Sequence, residues 1–246
     1  MDTLNTDIKN VRNVKKYTIG NGSILGLSSS LDSIRNSRDG YVIFFIDEFF
    51  ENKKLIDLLN KKDNDQIIFV ETKDEPTTEY IDSLVILLEN KKLTNPSAIV
   101  GIGGGITMDV GKAISNMLTN GGKAADYQGW DLVKSPGIYK IGIPTISGTG
   151  SEATRTCVMT NKKTRLKLGM NSDYTVYDQL IMDPELTKTV PRNQFFYTGM
   201  DAYIHCIEAL AGNYRNAVGD ALSRETVGLC RKVFMDIDMM SLANRE

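Results

Sequence analysis

Asp201 and His205 lie four residues apart in a stretch patterned as a helix, with Glu208 following. Residues at that spacing share one helix face, so a carboxylate and an imidazole can point at one ion. This donor pair suits Fe²⁺ or Zn²⁺. Two donors do not complete a metal site, and a lone helical histidine is more often a hydrogen-bonded surface or core residue. A second constellation is Gly103-Gly104-Gly105-Ile106, followed by Asp109 and Lys112. It sits where an apolar strand pattern hands over to a helix. Glycines let backbone N–H groups approach an anion, and the helix N-terminus adds partial positive charge, so the segment could hold a pyrophosphate. Its glycines are consecutive rather than spaced G-x-G-x-x-G, and a tight turn with close strand–helix packing is the alternative.

Residues 144–154 offer hydroxyls, two glycines and the Glu152 carboxylate after another apolar strand pattern. Thr149 and Ser151 could equally be helix caps in a plain polar loop. Asp47 ends the first apolar run. An acidic residue at the end of a nucleotide-fold strand accepts hydrogen bonds from a ribose diol and repels a 2′-phosphate, which favours NAD over NADP. A solvated turn residue is the competing reading.

The elements that must position these residues are legible as patterns. Residues 41–46, 66–70, 97–100 and 138–143 read as buried parallel strands. Helices are expected at about 53–60, from about 78 to 91 with Ile81, Leu84, Leu87 and Leu88 inward, and at 107–118. Residues 17–24, with Gly20-Asn21-Gly22, read as a strand, a turn and a hairpin return. Alternating strands and helices point to an α/β doubly wound parallel sheet. After Pro191 the pattern is helical only, at 193–210 and 217–235. The expected division is a Rossmann-like dinucleotide-binding domain over 1–187 and the start of an all-helical metal domain over 188–246.

Composition narrows the function classes. The 246 residues are 41% hydrophobic and 24% charged, ordinary for a globular protein. Lys plus Arg number 29 against 31 Asp plus Glu. That balance argues against nucleic acid or a polybasic membrane contact. Cys157, Cys206 and Cys230 are too few for a disulfide scaffold or zinc ribbon, and His205 is the only histidine. No apolar run reaches the roughly 18 residues of a membrane span, and no signal-type h-region opens the chain, so a cytoplasmic location is expected. Residues 1–16 read as a lead-in. Residues 236–246 stop without a closing element, which suggests a fragment whose last helices expose apolar surface.

Taken in order, these segments resemble the iron-containing, or group III, metal-dependent alcohol dehydrogenases over about residues 15–215. The resemblance rests on Gly20-Asn21-Gly22, Asp47, Pro76-Thr77, the Gly103–Lys112 loop, Pro144-Thr145 and Gly148-Thr149-Gly150-Ser151-Glu152. Lys167-Leu168-Gly169, Asp183-Pro184-Glu185-Leu186, Pro191 and Gly199–Glu208 complete it. It implies a nucleotide-binding domain, a helical domain and a cleft between them, with Asp201 and His205 facing the glycine loop across that cleft. Gly104, Gly105 and Ile106 would line the NAD pyrophosphate. Thr145, Ser147 and Thr149 would approach ribose, adenine or phosphates, and Lys167 the nicotinamide ribose. Asp201 and His205 match the first two metal ligands.

Two departures stand out. Ile106 replaces the family's usual serine, and the two further histidines of the family's metal site are absent, for which truncation is the favoured explanation over loss of the metal. The implied chemistry is Lewis-acid activation of an alcohol with hydride transfer to the nicotinamide. Residues 128–130, 154–159, 167–174 and 200–207 further resemble the sugar-acid branch. That branch oxidises the terminal hydroxyl of 3-deoxy-manno-octulosonate for lipopolysaccharide 8-amino sugar biosynthesis. An anionic sugar would want a cation, with Arg155 and Lys167 as candidates, and a homodimer is expected. Rival readings are an enzyme like dehydroquinate synthase or glycerol-1-phosphate dehydrogenase, and a non-catalytic nucleotide-binding protein.

Overall fold

The computed structural model describes residues 11–35 and 40–235. The expectations placed on residues 1–10 and 236–246 lie outside that description. Six strands form one parallel sheet: β1 (Lys16–Ile19), β2 (Val42–Asp47), β3 (Gln66–Val70), β4 (Ala98–Gly103), β6 (Lys140–Pro144) and β9 (Gln179–Met182). Their order is β1-β9-β6-β4-β2-β3. Val42 to Ile46 and Ala98 to Ile102 are closed to solvent, as a sheet covered on both faces requires. Helices α1 (Leu27–Ile34), α2 (Leu55–Leu58), α3 (Thr78–Asn90) and α4 (Gly105–Asn120) connect them. Thr77 starts α3 by accepting a hydrogen bond from the Tyr80 N–H at 3.1 Å. The helix buries Ile81, Leu84, Val85 and Leu88, whereas Leu87, expected inside, is exposed.

The segment from Tyr17 to Ile24 is not a hairpin. β1 pairs in parallel with β9, and the Gly20-Asn21-Gly22 turn leads into a 3₁₀ turn, Ser23–Gly26, and then α1. The cause lies far along the chain. The buried Asp183 carboxylate accepts from the N–H groups of Gly22 and Ile24, both at 3.1 Å, and so holds the turn at the end of β9. A second sheet was not read from the sequence: β5 (Gly129–Trp130), β7 (Thr156–Asn161) and β8 (Leu166–Asn171), in the order β5-β8-β7. β7 and β8 are antiparallel, and Cys157, Met159 and Met170 join the core that also holds α3 and α4.

The chain divides into two compact units, one of 13–145 with 151–183, the other of 1–12, 146–150 and 184–246. The second contains α5 (Arg192–Ala211) and α6 (Ala217–Met235). Phe195 near the start of α5 packs against Phe234 near the end of α6, with ring centroids 5.6 Å apart and the rings tilted at 52°, so the helix pair is antiparallel. Gly199 lies flat against the Phe234 ring, where any Cβ would collide. As expected, these helices carry apolar surface: Tyr197, Ile204, Val218, Leu222 and Leu229 are all exposed. No helix among the described residues is long and apolar enough to cross a membrane.

Candidate functional site

The connections β2 to β3 and β3 to β4 place their strands on opposite sides of β2. The crevice outside the carboxyl ends of β2 and β4 is therefore a topological switch point, where open parallel sheets take ligands. Asp47 ends β2 and Gly103 ends β4, so both reach this crevice. The two touch: a Cβ on Gly103 would stand 2.9 Å from the Asp47 Cβ and 2.7 Å from the Thr107 Oγ1. Glycine at 103 thus follows from close approach, with φ at 155°. Gly104 is the N-cap of α4 and has no side chain to satisfy the first amides of that helix. Those amides and the helix dipole face the crevice's chemistry, and the half-buried Gly104, Gly105 and Ile106 form the first turn. Ile106 packs against the core around α3 and α4, which accounts for an apolar residue in place of a hydroxyl.

Asp47 is held by two donors on one oxygen. Its Oδ1 accepts from the Phe49 N–H at 2.9 Å and from the Thr72 hydroxyl at 3.2 Å. Thr145 is buried, and its N–H donates to the Gly103 carbonyl at 3.1 Å, tying the end of β6 to the glycine turn. Ser147 and Thr149, both exposed, fall in the 146–150 segment that clusters with the helical unit. There Gly148 packs against Thr198 of α5 with no room for a side chain.

Asp109 is committed within the fold. Its carboxylate accepts from the Ser151 hydroxyl and from the Val158 N–H at 3.0 Å. Lys112, fully buried, lies beside it at 4.0 Å. The Lys112 ammonium donates to carbonyls of Ser151, Thr154 and Thr156 and to the hydroxyls of Ser151 and Thr154. Burial pulls the lysine below its ordinary value and pushes the Asp109 carboxyl up, while each is the chief counterweight to the other. This pair anchors the start of the second sheet to α4. A lysine in the middle of an otherwise buried helix is a sequence signal for such an anchor, but its partners come from about 40 residues away and spacing does not reveal them.

Lys167, on β8, forms an exposed ion pair with Glu75. Arg155 lies between Asp131 and Asp173, 3.2 Å from the latter, and its guanidinium is 5.9 Å from the Trp130 ring. Both cations proposed for an anionic substrate therefore already have carboxylate partners.

Asp201 and His205 share a face of α5, as the spacing requires, with Oδ1 and Nε2 3.8 Å apart and both side chains about half exposed. Ligand atoms of a tetrahedral site with bonds of about 2.1 Å stand about 3.4 Å apart, so a small rotamer change brings this pair into range. Among the described residues no group of three or more His, Cys, Asp or Glu side chains is placed to hold a metal. Two donors are half of what a four-coordinate site needs.

Comparison with known proteins places this arrangement. Residues 15–184 match the sequence model of the iron-containing alcohol dehydrogenases. The chain is 31% identical over 218 residues to the sulfoacetaldehyde reductase of Bilophila wadsworthia, covering 88% of this chain and 55% of that protein. It shares its fold with the crystal structure of a 1,3-propanediol oxidoreductase, with TM-score 0.86, 22% identity, and 97% and 63% of the two chains covered. A sulfoacetaldehyde reductase from Bifidobacterium kashiwanohense, solved in complex with NAD⁺, aligns with TM-score 0.81 and 24% identity over 96% and 62% of the chains. The chain spans about half the length of the Bilophila relative. With the family pattern covering the whole sheet unit, and the switch-point aspartate and glycine turn within it, this chain belongs to the iron-containing alcohol dehydrogenase family.

Proposed function

We propose that this chain carries the NAD-binding unit and two metal ligands of an oxidoreductase that interconverts a primary alcohol and its aldehyde. The observation that carries this reading is the contact of Asp47 with the Gly103 turn at the switch point of the sheet. The uncapped amides of α4 hold the pyrophosphate, and Asp47 accepts from the adenosine ribose diol while its charge rejects a 2′-phosphate. Thr145, Ser147 and Thr149 line the remainder, and Lys167 reaches the nicotinamide ribose by leaving its solvent-exposed Glu75 partner, a weak tie. Asp201 and His205 hold Fe²⁺ or Zn²⁺ together with donors from outside the described residues. When bound, the metal supplies a Lewis acid and the nicotinamide a hydride acceptor.

The family membership and the NAD⁺ held by the Bifidobacterium neighbour support the cofactor reading. A sugar-acid substrate, with a place in lipopolysaccharide biosynthesis, is the finer proposal and rests on the sequence segments that resemble that branch. The Bilophila relative is named for another anionic aldehyde, which favours a small charged substrate of the same kind. A homodimer in the cytoplasm completes the reading. Calorimetric titration of the chain with NAD and with NADP is the test. NAD should bind the tighter, and absence of NAD binding or a preference for NADP refutes the assignment.

A further inference from the structure

The Asp47 carboxylate does not stand alone at the crevice. The Thr72 hydroxyl, just beyond β3, donates to Asp47 Oδ1 at 3.2 Å, and the Phe49 N–H donates to the same oxygen. The Thr72 N–H meets Glu48 Oε1 at 3.5 Å. Two adjacent strand ends, β2 and β3, are thereby clasped across the sheet edge. The consequence is asymmetric. Oδ1 is saturated by two donors, and Oδ2 has no hydrogen-bond partner among the described residues. A carboxylate held by one bond alone turns freely about its last torsion. Held by two donors from different directions, it presents one oxygen in a fixed orientation.

We propose that Thr72 is a positioning residue for nucleotide selectivity: its hydroxyl fixes the Asp47 carboxylate so that the free oxygen meets the ribose diol of NAD. This rests on the dinucleotide reading above and deepens it. The role differs from charge repulsion. The negative charge that rejects NADP persists without Thr72, whereas the preorganised acceptor for the 2′-hydroxyl does not. Loss of the hydroxyl should therefore weaken NAD and leave NADP unmoved. A merely structural role would weaken both, because the two nucleotides share the pyrophosphate and the rest of the site.

The test uses the full 246-residue chain with Thr72→Val, which keeps shape and removes the donor, and Thr72→Ser, which restores it. Dissociation constants for NAD and NADP are measured by calorimetry for the three proteins. The expected result is a weakening of NAD by about three- to tenfold in Thr72→Val, the range for one lost hydrogen bond, with NADP unchanged and NAD affinity recovered in Thr72→Ser. Equal weakening of both nucleotides, no change in either, or failure of serine to rescue overturns the positioning role while leaving the dinucleotide reading intact. A wild-type chain that binds neither nucleotide overturns both.

Discussion

Lys140 opens β6, the strand that leads into the Pro144–Thr154 loop, and its ammonium is buried at 3% exposure. Burial lowers its pKa from 10.5 to about 8, against the opposing pull of Asp178, 3.9 Å away. A drop of that size corresponds to about 3.4 kcal/mol between the charged and neutral forms. Lysine depressed in the folded state binds fewer protons there than in the unfolded chain between those two values, so stability rises with pH across that window. Below pH 8 the cost is carried in full. Lys140→Met removes it, and Asp178 keeps the Lys15 ammonium and the residue-140 N–H, both at 3.0 Å. Integrating the titration from pH 7 to pH 10 gives a change of about 2.5 kcal/mol in the stability difference between variant and wild type. Other titrating groups, among them the buried Tyr177 phenol raised by desolvation, are common to both proteins and cancel. Urea unfolding at pH 7, 8, 9 and 10 reads the difference directly. In thermal unfolding the variant's relative advantage should shrink by about 5–10 °C across the range. A stability gap that stays constant from pH 7 to pH 10 would refute the claim that Lys140 is held charged against its environment.

Further outcomes bear on the site. Asp47→Gly should weaken NAD and tighten NADP by about tenfold or more, about 1.4 kcal/mol, since it removes both an acceptor and a repelling charge; paired calorimetric titrations check it. Gly103→Ala should destabilise the protein by about 1–3 kcal/mol because its methyl group would overlap Thr107 and Asp47, and it should abolish NAD binding even where folding persists at low temperature. Asp201→Ala should remove Zn²⁺ uptake, followed by metal analysis after dialysis, and leave NAD affinity unchanged; retention of metal would show that the α5 pair is not the ligand set.

The buried centre of the fold was legible because its signals are local. Val42–Asp47 and Ala98–Gly103 are unbroken apolar runs, and Thr77 announces α3 by its own side chain. The failures share a cause, pairing between distant segments. The positive φ of Gly20 and Gly22 makes a real turn, but only Asp183, more than 150 residues on, decides that it ends a parallel edge strand. β7 and β8 are harder to read because they are half-exposed: the alternation of Leu166, Lys167 and Leu168 leaves both leucines at the surface, and only Cys157, Met159 and Met170 reach the core. In the site, Asp47 and the glycines were readable from position alone. Thr72 was not, since nothing in its neighbourhood shows that it faces a carboxylate on another strand.

Three buried or half-buried carboxylates of the sheet unit sit beside strand ends, and each ties a strand to its neighbours. At the amino ends, Asp65 takes a bidentate pair from Arg35, at 2.7 and 2.8 Å, and the N–H groups of Val42 and Lys62, both at 2.8 Å. Desolvation would raise the Asp65 carboxyl, yet these donors hold it below its ordinary value. Asp178 does similar work at Lys140, and Asp183 fixes the turn beyond β9. Such groups add little net stability over an apolar core, because desolvation offsets attraction. What they add is geometry, since each is satisfied in only one arrangement of the strands. The carboxyl ends of β2 and β4 follow the opposite rule. Gly104 offers α4 no capping acceptor, and one oxygen of Asp47 has no donor among the described residues. A fold that matches its polar groups at the other strand ends leaves donors and an acceptor open together at the switch point. That is the pattern expected when a ligand carrying both an anion and a diol completes the set.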